Sequence, residues 1–208
     1  MNLQYYYWYF PAVIPSKICD EIVKYGESKE KEIAITGNRD KRTGPPSKEE
    51  LKNIQKKRKS DIVWMNDTWI YKEIQPYIHM ANSNANWNFQ WDFTESCQFT
   101  EYKKGQFYDW HCDSSELPYD EPDNFNTNGK IRKLSMTLCL TEPEEYKGGD
   151  LEFAFHDLDG NKQPRICEEI RSKGSVIVFP SFVWHRVKPV TKGIRNSLVC
   201  WNLGQPYV

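Results

Sequence analysis

What the chain is short of narrows the field first. It holds only four histidines in 208 residues, so a metal centre built on imidazole has few residues to draw on. No apolar run reaches the ~18 residues that a membrane-spanning helix needs, and no basic stretch leads into an aliphatic one near the N-terminus. Neither a membrane span nor a secretory signal is therefore expected, and the expected compartment is the cytoplasm. The six cysteines, Cys19, Cys97, Cys112, Cys139, Cys167 and Cys200, stand singly without a C-x-x-C pair, which predicts reduced and mostly buried thiols. Internal repeats are absent too. The net charge of −1 argues against a nucleic-acid partner for the protein as a whole. It conceals one asymmetry, because residues 36–60 carry nine Lys or Arg against three Asp or Glu.

What is present is 38% hydrophobic and 14% aromatic, enough for one domain with a substantial core. Residues 1–88 are expected to supply an N-terminal strand and supporting helices, and residues 89–205 a catalytic core. Six consecutive aromatics, Tyr5 to Phe10, predict a covered strand. Ser16 is placed to cap a helix running to about Ser28, and residues 37–46 read as a mobile loop. Ser47-Lys48-Glu49-Glu50 has capping-box spacing and should open a short solvated helix reaching Lys59. A third helix is expected over 67–82, with Ile70, Ile74, Tyr77, Ile78 and Ala81 on one face and Pro76 kinking it.

Beyond residue 87 the pattern changes to short β-branched and aromatic runs split by turn signals. Strands are expected at 89–93, 96–102, 108–112, 133–141, 150–155, 167–171, 175–179, 184–190 and 194–202. Turns fall at Gly148-Gly149, Asp159-Gly160, Lys173-Gly174 and Lys192-Gly193. The later strands leave no room for helices between them, so the sheets should be antiparallel. The fold class is thus mainly β with N-terminal helices. Residues 114–130 are too long for a simple turn and read as a lid or binding loop.

His111-Cys112-Asp113 carries the chemistry. On an extended strand His111 and Asp113 point the same way and Cys112 the other. Such a pair alone is equally an ordinary hydrogen-bonded strand end, so a third ligand from a distant strand decides the matter. His79 falls in the third helix and His156 beside a turn, where surface positions are expected. His185 remains, in an apolar strand. Two histidines and one carboxylate on one face of an Fe(II) ion leave three positions open. A chelating dicarboxylic 2-oxo acid would neutralise that centre and push its second carboxylate into the protein, where a buried arginine is the natural partner. Arg195 lies ten residues after His185. By alternation Arg195, Ser197, Val199 and Trp201 share a face, and Ser197 can add a hydroxyl donor. The blander reading of Arg195 is a surface residue following the Lys192-Gly193 turn.

The compound spacing Tyr102-x-x-Gly105-x-x-Tyr108-x-x-His111-x-Asp113, with Gly148-Gly149-Asp150, Phe179-Pro180, His185 and Arg195-Asn196-Ser197, resembles the 2-oxoglutarate- and Fe(II)-dependent oxygenases. The nearest likeness is to their prolyl 4-hydroxylase-like branch. That resemblance implies a double-stranded β-helix, or jelly roll, with iron held by His111, Asp113 and His185 near its mouth. It implies 2-oxoglutarate as cosubstrate, with Tyr102 and Arg195 holding it, and ascorbate keeping the iron reduced. Related hydroxylases often carry a tyrosine on the strand after the H-x-D loop. Here that strand offers only small side chains, so Ser135 or Thr137 is expected to substitute. A second arginine at position 201 would mark the AlkB-type nucleic-acid demethylases, and Trp201 speaks against that branch.

The expected reaction consumes O2 and hydroxylates an unactivated C–H bond, with a proline-containing peptide or protein as the family-level substrate. Tyr108, with Tyr119 and Phe125 on the 114–130 loop and Arg132 at its end, is placed to contact such a peptide. The acids Glu116, Asp120, Glu121 and Asp123 would favour a neutral or basic one. Two rival readings stay open. One is a non-catalytic metal-binding jelly roll, and the other is an oxygenase acting on a nucleic acid or small molecule, with the basic 36–60 stretch as an electrostatic arm. Oligomeric state is expected to be monomer or homodimer.

Overall fold

The computed structural model describes residues 4–35, 46–156 and 162–207. Three helices, α1 (Ser16–Glu27), α2 (Lys48–Lys57) and α3 (Thr68–Asn84), accompany a set of short strands. In chain order these are β1 (Trp8–Phe10), β2 (Glu32–Ile33), β3 (Arg58–Lys59), β4 (Asp61–Met65), β5 (Phe93–Thr94), β6 (Cys97–Tyr102), β7 (Phe107–His111) and β8 (Ile131–Cys139). They continue with β9 (Tyr146–Gly148), β10 (Leu151–His156), β11 (Lys162–Ile166), β12 (Val176–Pro180), β13 (His185–Val187), β14 (Val190–Gly193) and β15 (Arg195–Gly204). All pairings recorded between them are antiparallel.

The major sheet runs β1-β12-β8-β15-β6-β4-β2, with β5 also on β15, and the minor sheet runs β11-β10-β13-β7-β3. The two face each other as a jelly roll, as expected. Strand alternation splits the apolar residues into two cores. Leu134, Met136, Leu138, Val176, Val178, Leu198, Cys200 and Phe99 point from the major sheet toward Ile22 of α1 and Ile70, Ile74, Ile78 and Ala81 of α3. Each such fully buried aliphatic side chain contributes roughly 1.5–3 kcal/mol. The opposite face of the same strands meets the minor sheet around Ile177, Phe179, Phe153 and Leu151. Gly26 lets α1 approach closely, because a Cβ there would stand 2.7 Å from the Phe99 ring.

Several local expectations fail for identifiable reasons. Pro15, not Ser16, occupies the N-cap of α1, and no side chain caps it. Ser47 does form the full capping box with Glu50, but α2 stops at Lys57 because Arg58 turns extended and starts β3. The helix α3 runs on to Asn84, continuous through Pro76. The aromatic opening gives only a three-residue edge strand, and Tyr5, Tyr6 and Tyr9 remain 40–49% exposed instead of covered. Residues 89–93 are largely irregular, leading only into the two-residue β5. Residues 168–170, expected as strand, form a 3-10 turn, while the preceding 162–166 segment is the edge strand despite Pro164, a residue that edges tolerate. The strand β4 was not anticipated, yet it joins the N-terminal third to the major sheet by pairing with β6. The 37–45 part of the loop and the Asp159-Gly160 turn lie outside the described residues, as does the side chain of His156. No described helix is long and apolar enough to cross a membrane.

Candidate active site

His111 ends β7 and His185 opens β13, and strand pairing sets the two directly opposite each other. Asp113 follows β7 on a loop whose backbone is pinned, since the amides of Asp113 and Ser114 both donate to the Ser181 carbonyl at 2.8 and 2.9 Å. The three ligand atoms lie within 4.8 Å of one another, and the Nε2 atoms of His111 and His185 are each 3.6 Å from an Asp113 oxygen. Tautomers follow from the acceptors. His111 Nδ1 sits 2.7 Å from the Asp109 carbonyl and His185 Nδ1 2.9 Å from that of Val183. A carbonyl only accepts, so each Nδ1 carries a proton, and Nε2 is the nitrogen that each ring turns toward the carboxylate. Burial, reinforced by His185, pushes the His111 imidazole down to about 3, so it is neutral and ready to ligate. Burial alone would raise the Asp113 carboxyl, but His185, His111, Arg132 and the Ser135 hydroxyl together hold it down at about 2. Two imidazoles and one carboxylate on a common locus are a donor set that suits ferrous iron.

The centre opens into a cavity of about 520 Å³. From the major sheet, Gln98, Thr100, Tyr102, Thr137, Arg195, Ser197, Val199 and Trp201 line it, the inward half of each strand's alternation. Arg195 is 2% exposed, lies over the Tyr102 ring at 5.7 Å and bonds Ser197 Oγ at 3.4 Å. Among the described residues no carboxylate comes within 4 Å of it. Gly149, with φ +65°, is what leaves room for it: a Cβ there would meet Arg195 Cδ at 2.9 Å. The buried guanidinium with a hydroxyl and a phenol beside it is a receptor for a carboxylate.

Of the remaining expected contacts, Tyr108, Tyr119 and Arg132 also face the cavity. The Tyr108 ring stacks on His111 at 3.4 Å between centroids. Arg132 is paired with Glu95 at 2.7 Å and lies 4.0 Å over the Trp201 ring, and the Tyr119 hydroxyl donates to the other oxygen of Glu95. Burial opposes the charge on Arg132, but Glu95 outweighs it and raises the pKa.

Two expectations are corrected. Phe125 is 90% exposed and does not face the cavity. Ser135 is not free for a cosubstrate, because its hydroxyl donates to Asp113 Oδ2 at 2.7 Å and contacts Ser181 Oγ at 2.9 Å. The loop acids divide into two kinds, and Glu121 lines the cavity. Glu121 is held by Thr127 and Asn124, folding the loop on itself, while Glu116, Asp120 and Asp123 stand in solvent.

The sequence reading missed Arg58 and Glu95. Arg58 is 6% exposed, bonds Gln98 Oε1 at 2.6 Å and Ser60 Oγ at 3.0 Å, and lies 4.5 Å over the Tyr108 ring. Its position inside a basic run disguised it as surface charge. The only signal was that the run ends at Ser60, next to the apolar Ile62-Val63.

The sequence model of the 2OG-Fe(II) oxygenase superfamily matches residues 97–202. A PKHD-type hydroxylase of Aliarcobacter butzleri is 36% identical over 104 residues, covering 50% of this chain and 41% of that protein. One from Pseudoalteromonas atlantica is 35% identical over 105 residues, with the same coverage. The chain thus spans about two fifths of the length of these relatives. Among solved structures, the viral collagen prolyl hydroxylase of Paramecium bursaria Chlorella virus-1 has a TM-score of 0.63 at 18% identity over 97% of both chains. A Pseudomonas putida prolyl-4-hydroxylase has a TM-score of 0.62 at 19% identity, covering 98% of this chain and 95% of that one. At these identities the likeness is one of fold.

Proposed function

The chain belongs to the 2OG-Fe(II) oxygenase superfamily, and on that footing we propose that it hydroxylates a prolyl residue of a peptide or protein, converting 2-oxoglutarate and O2 into succinate and CO2. The observation that carries this reading is the pairing within one cavity of the His111/Asp113/His185 cluster with Arg195, a buried cation lacking an acid partner among the described residues. A buried unpaired charge is costly, and a second carboxylate on the cosubstrate would relieve it.

Bound at the cluster, ferrous iron would supply the redox chemistry that divides dioxygen between cosubstrate and C–H bond. The chain's own residues do the rest. Arg195, Ser197 and Tyr102 would orient 2-oxoglutarate through its distal carboxylate, with Thr137 beside them. Leu151 and Val187 give this side of the cavity an apolar wall, and Phe179 packs against the His185 ring at 4.7 Å between centroids. For the substrate, two donors are available. Trp201 Nε1 is buried without a hydrogen-bond partner, and Arg58 has no carboxylate within 4 Å among the described residues. Both suit the carbonyl oxygens of an extended prolyl peptide, which has acceptors in excess of donors. The aromatic wall of Tyr108, Tyr119 and Trp201 suits a pyrrolidine ring.

The test is incubation with Fe(II), ascorbate, 2-oxoglutarate and a panel of proline-containing peptides. Succinate should form together with a +16 product on proline. Absence of both across the panel overturns the reading, and succinate with the +16 mass on another residue type overturns the prolyl assignment alone.

A further inference from the structure

A serine inside a buried central strand needs a reason, since its hydroxyl costs free energy there unless bonded. Ser135 sits in the middle of β8, fully buried, on the face opposite to Leu134, Met136 and Leu138 of the same strand. It does not itself line the cavity, but bonds Asp113, which does. Ser181, just after β12, is equally buried, and the hydroxyls of the two meet at 2.9 Å.

The direction of the chain they form can be deduced. Asp113 Oδ2 is an acceptor, so the 2.7 Å bond to it uses the Ser135 proton. Ser135 Oγ can then only accept from Ser181, which must donate. Ser181 itself is anchored at both backbone groups: its amide donates to the Lys133 carbonyl at 3.0 Å, and its carbonyl receives the amides of Asp113 and Ser114. The two serines thus join the rigid centre of the major sheet to the one ligand that comes from a loop instead of a strand. Each bond in such a series polarises the next.

We propose that Ser135 and Ser181 form a positioning relay that holds the Asp113 carboxylate in a one-oxygen mode toward the metal. Ser135 engages Oδ2, which lies 3.6 Å from His185 Nε2, and Oδ1, 3.6 Å from His111 Nε2, is the oxygen without a hydroxyl donor and the one the relay leaves to the ion. The count of coordination positions gives this its value. With one carboxylate oxygen and two imidazoles bound, three positions of an octahedron stay open, whereas a two-oxygen carboxylate would close one of them. A loop carboxylate without a donor on its second oxygen has nothing to stop it from rotating into the two-oxygen mode. The assignment extends the proposed function, because it rests on the same metal cluster, but it makes no use of the substrate.

The experiment is titration of the metal-free protein with Co(II), followed by visible absorption and X-ray absorption fine structure of the Co(II) form. The wild type should bind one Co(II) per chain with a one-oxygen carboxylate. Ser135→Ala should bind it ~10–100-fold more weakly, the usual effect of removing a hydrogen bond to a ligand, with a gain of one oxygen at bonding distance. Ser135→Thr, which keeps the hydroxyl, should restore both. Ser181→Ala should shift the same two readouts to a smaller extent, and it carries the test should Ser135→Ala not fold. Removing both hydroxyls should destabilise the fold less than the sum of the single changes, since no donor is then left unpaired. Co(II) affinity within twofold of wild type and an unchanged spectrum in the folded Ser135→Ala or Ser181→Ala variant would overturn the relay. Failure of the wild type to bind Co(II) would instead overturn the metal centre on which the proposed function stands.

Discussion

At one end of the cavity Tyr102, Thr137, Arg195 and Ser197 stand on three neighbouring strands whose pairing fixes them relative to each other, with Arg195 opposite Tyr102 and Ser197 opposite both Thr100 and Cys139. At the other end the walls come from the 114–130 loop and from the two-residue β3, held by side-chain bonds such as Tyr119 to Glu95 and Arg58 to Gln98. The first end is organised by the sheet's own hydrogen bonds, so its geometry survives changes at single side chains. The second is organised by particular polar pairs, and each pair is a separate point of failure. A small rigid cosubstrate is suited by the first kind of construction, and a larger substrate reaching in from the loop side by the second.

This contrast can be broken or sharpened by substitution. His111→Ala belongs to neither end and should abolish succinate formation with every peptide, measured against a heat-treated control. Arg195→Ala should raise the KM for 2-oxoglutarate by ~30-fold or more, since truncating one partner of a buried charge pair costs about 2–5 kcal/mol, while the peptide KM moves little. Gly149→Ala should act on the same end from a distance, because its Cβ would crowd Arg195 and its backbone is left-handed. A rise of ~10-fold in the 2-oxoglutarate KM corresponds to the 1–3 kcal/mol typical of overpacking. Arg58→Gln should do the reverse, raising the peptide KM by about tenfold, for a loss near 1.4 kcal/mol, with the 2-oxoglutarate KM within twofold. Phe125→Ala should change neither the KM values nor the thermal midpoint beyond ~0.5 kcal/mol, as for other solvent-exposed positions. Should Arg58→Gln move both KM values together, the division of the cavity into two ends would be wrong.

The same division marks what could be read from sequence. His111, Asp113, His185, Arg195 and Ser197 were legible because strand periodicity of two fixes which residues share a face, and because the glycine turns separate the strands cleanly, while Tyr102 came from the family resemblance. Periodicity and turns gave the antiparallel, mainly β class, and the jelly roll came from the family resemblance. Ser135 was offered as a cosubstrate contact and bonds Asp113 instead, since a sequence pattern says what a side chain could reach and not what meets it there. Phe125 and Arg58 failed in opposite directions. An aromatic residue on a binding loop was expected to face inward and faces water, and an arginine in a basic run was expected in water and is buried under Tyr108. Loop conformation depends on bonds such as Glu121 to Thr127, which have no periodic trace. The strand β4 was overlooked for a related reason. Five residues between two helices carry too little pattern to stand out until β6 is there to pair with them.

The opposition of His111 and His185 across β7 and β13 has a consequence for how the protein comes together. A slip of one residue between those strands would turn one imidazole to the outer face of the minor sheet, and the ion would lose a ligand. Metal capture is therefore possible only after that short ladder has closed correctly, and loading in turn rewards the correct closure through mass action. The centre acts as an inspector of assembly: a mispaired chain stays empty, and a correctly paired one gains an added clamp across its smaller sheet.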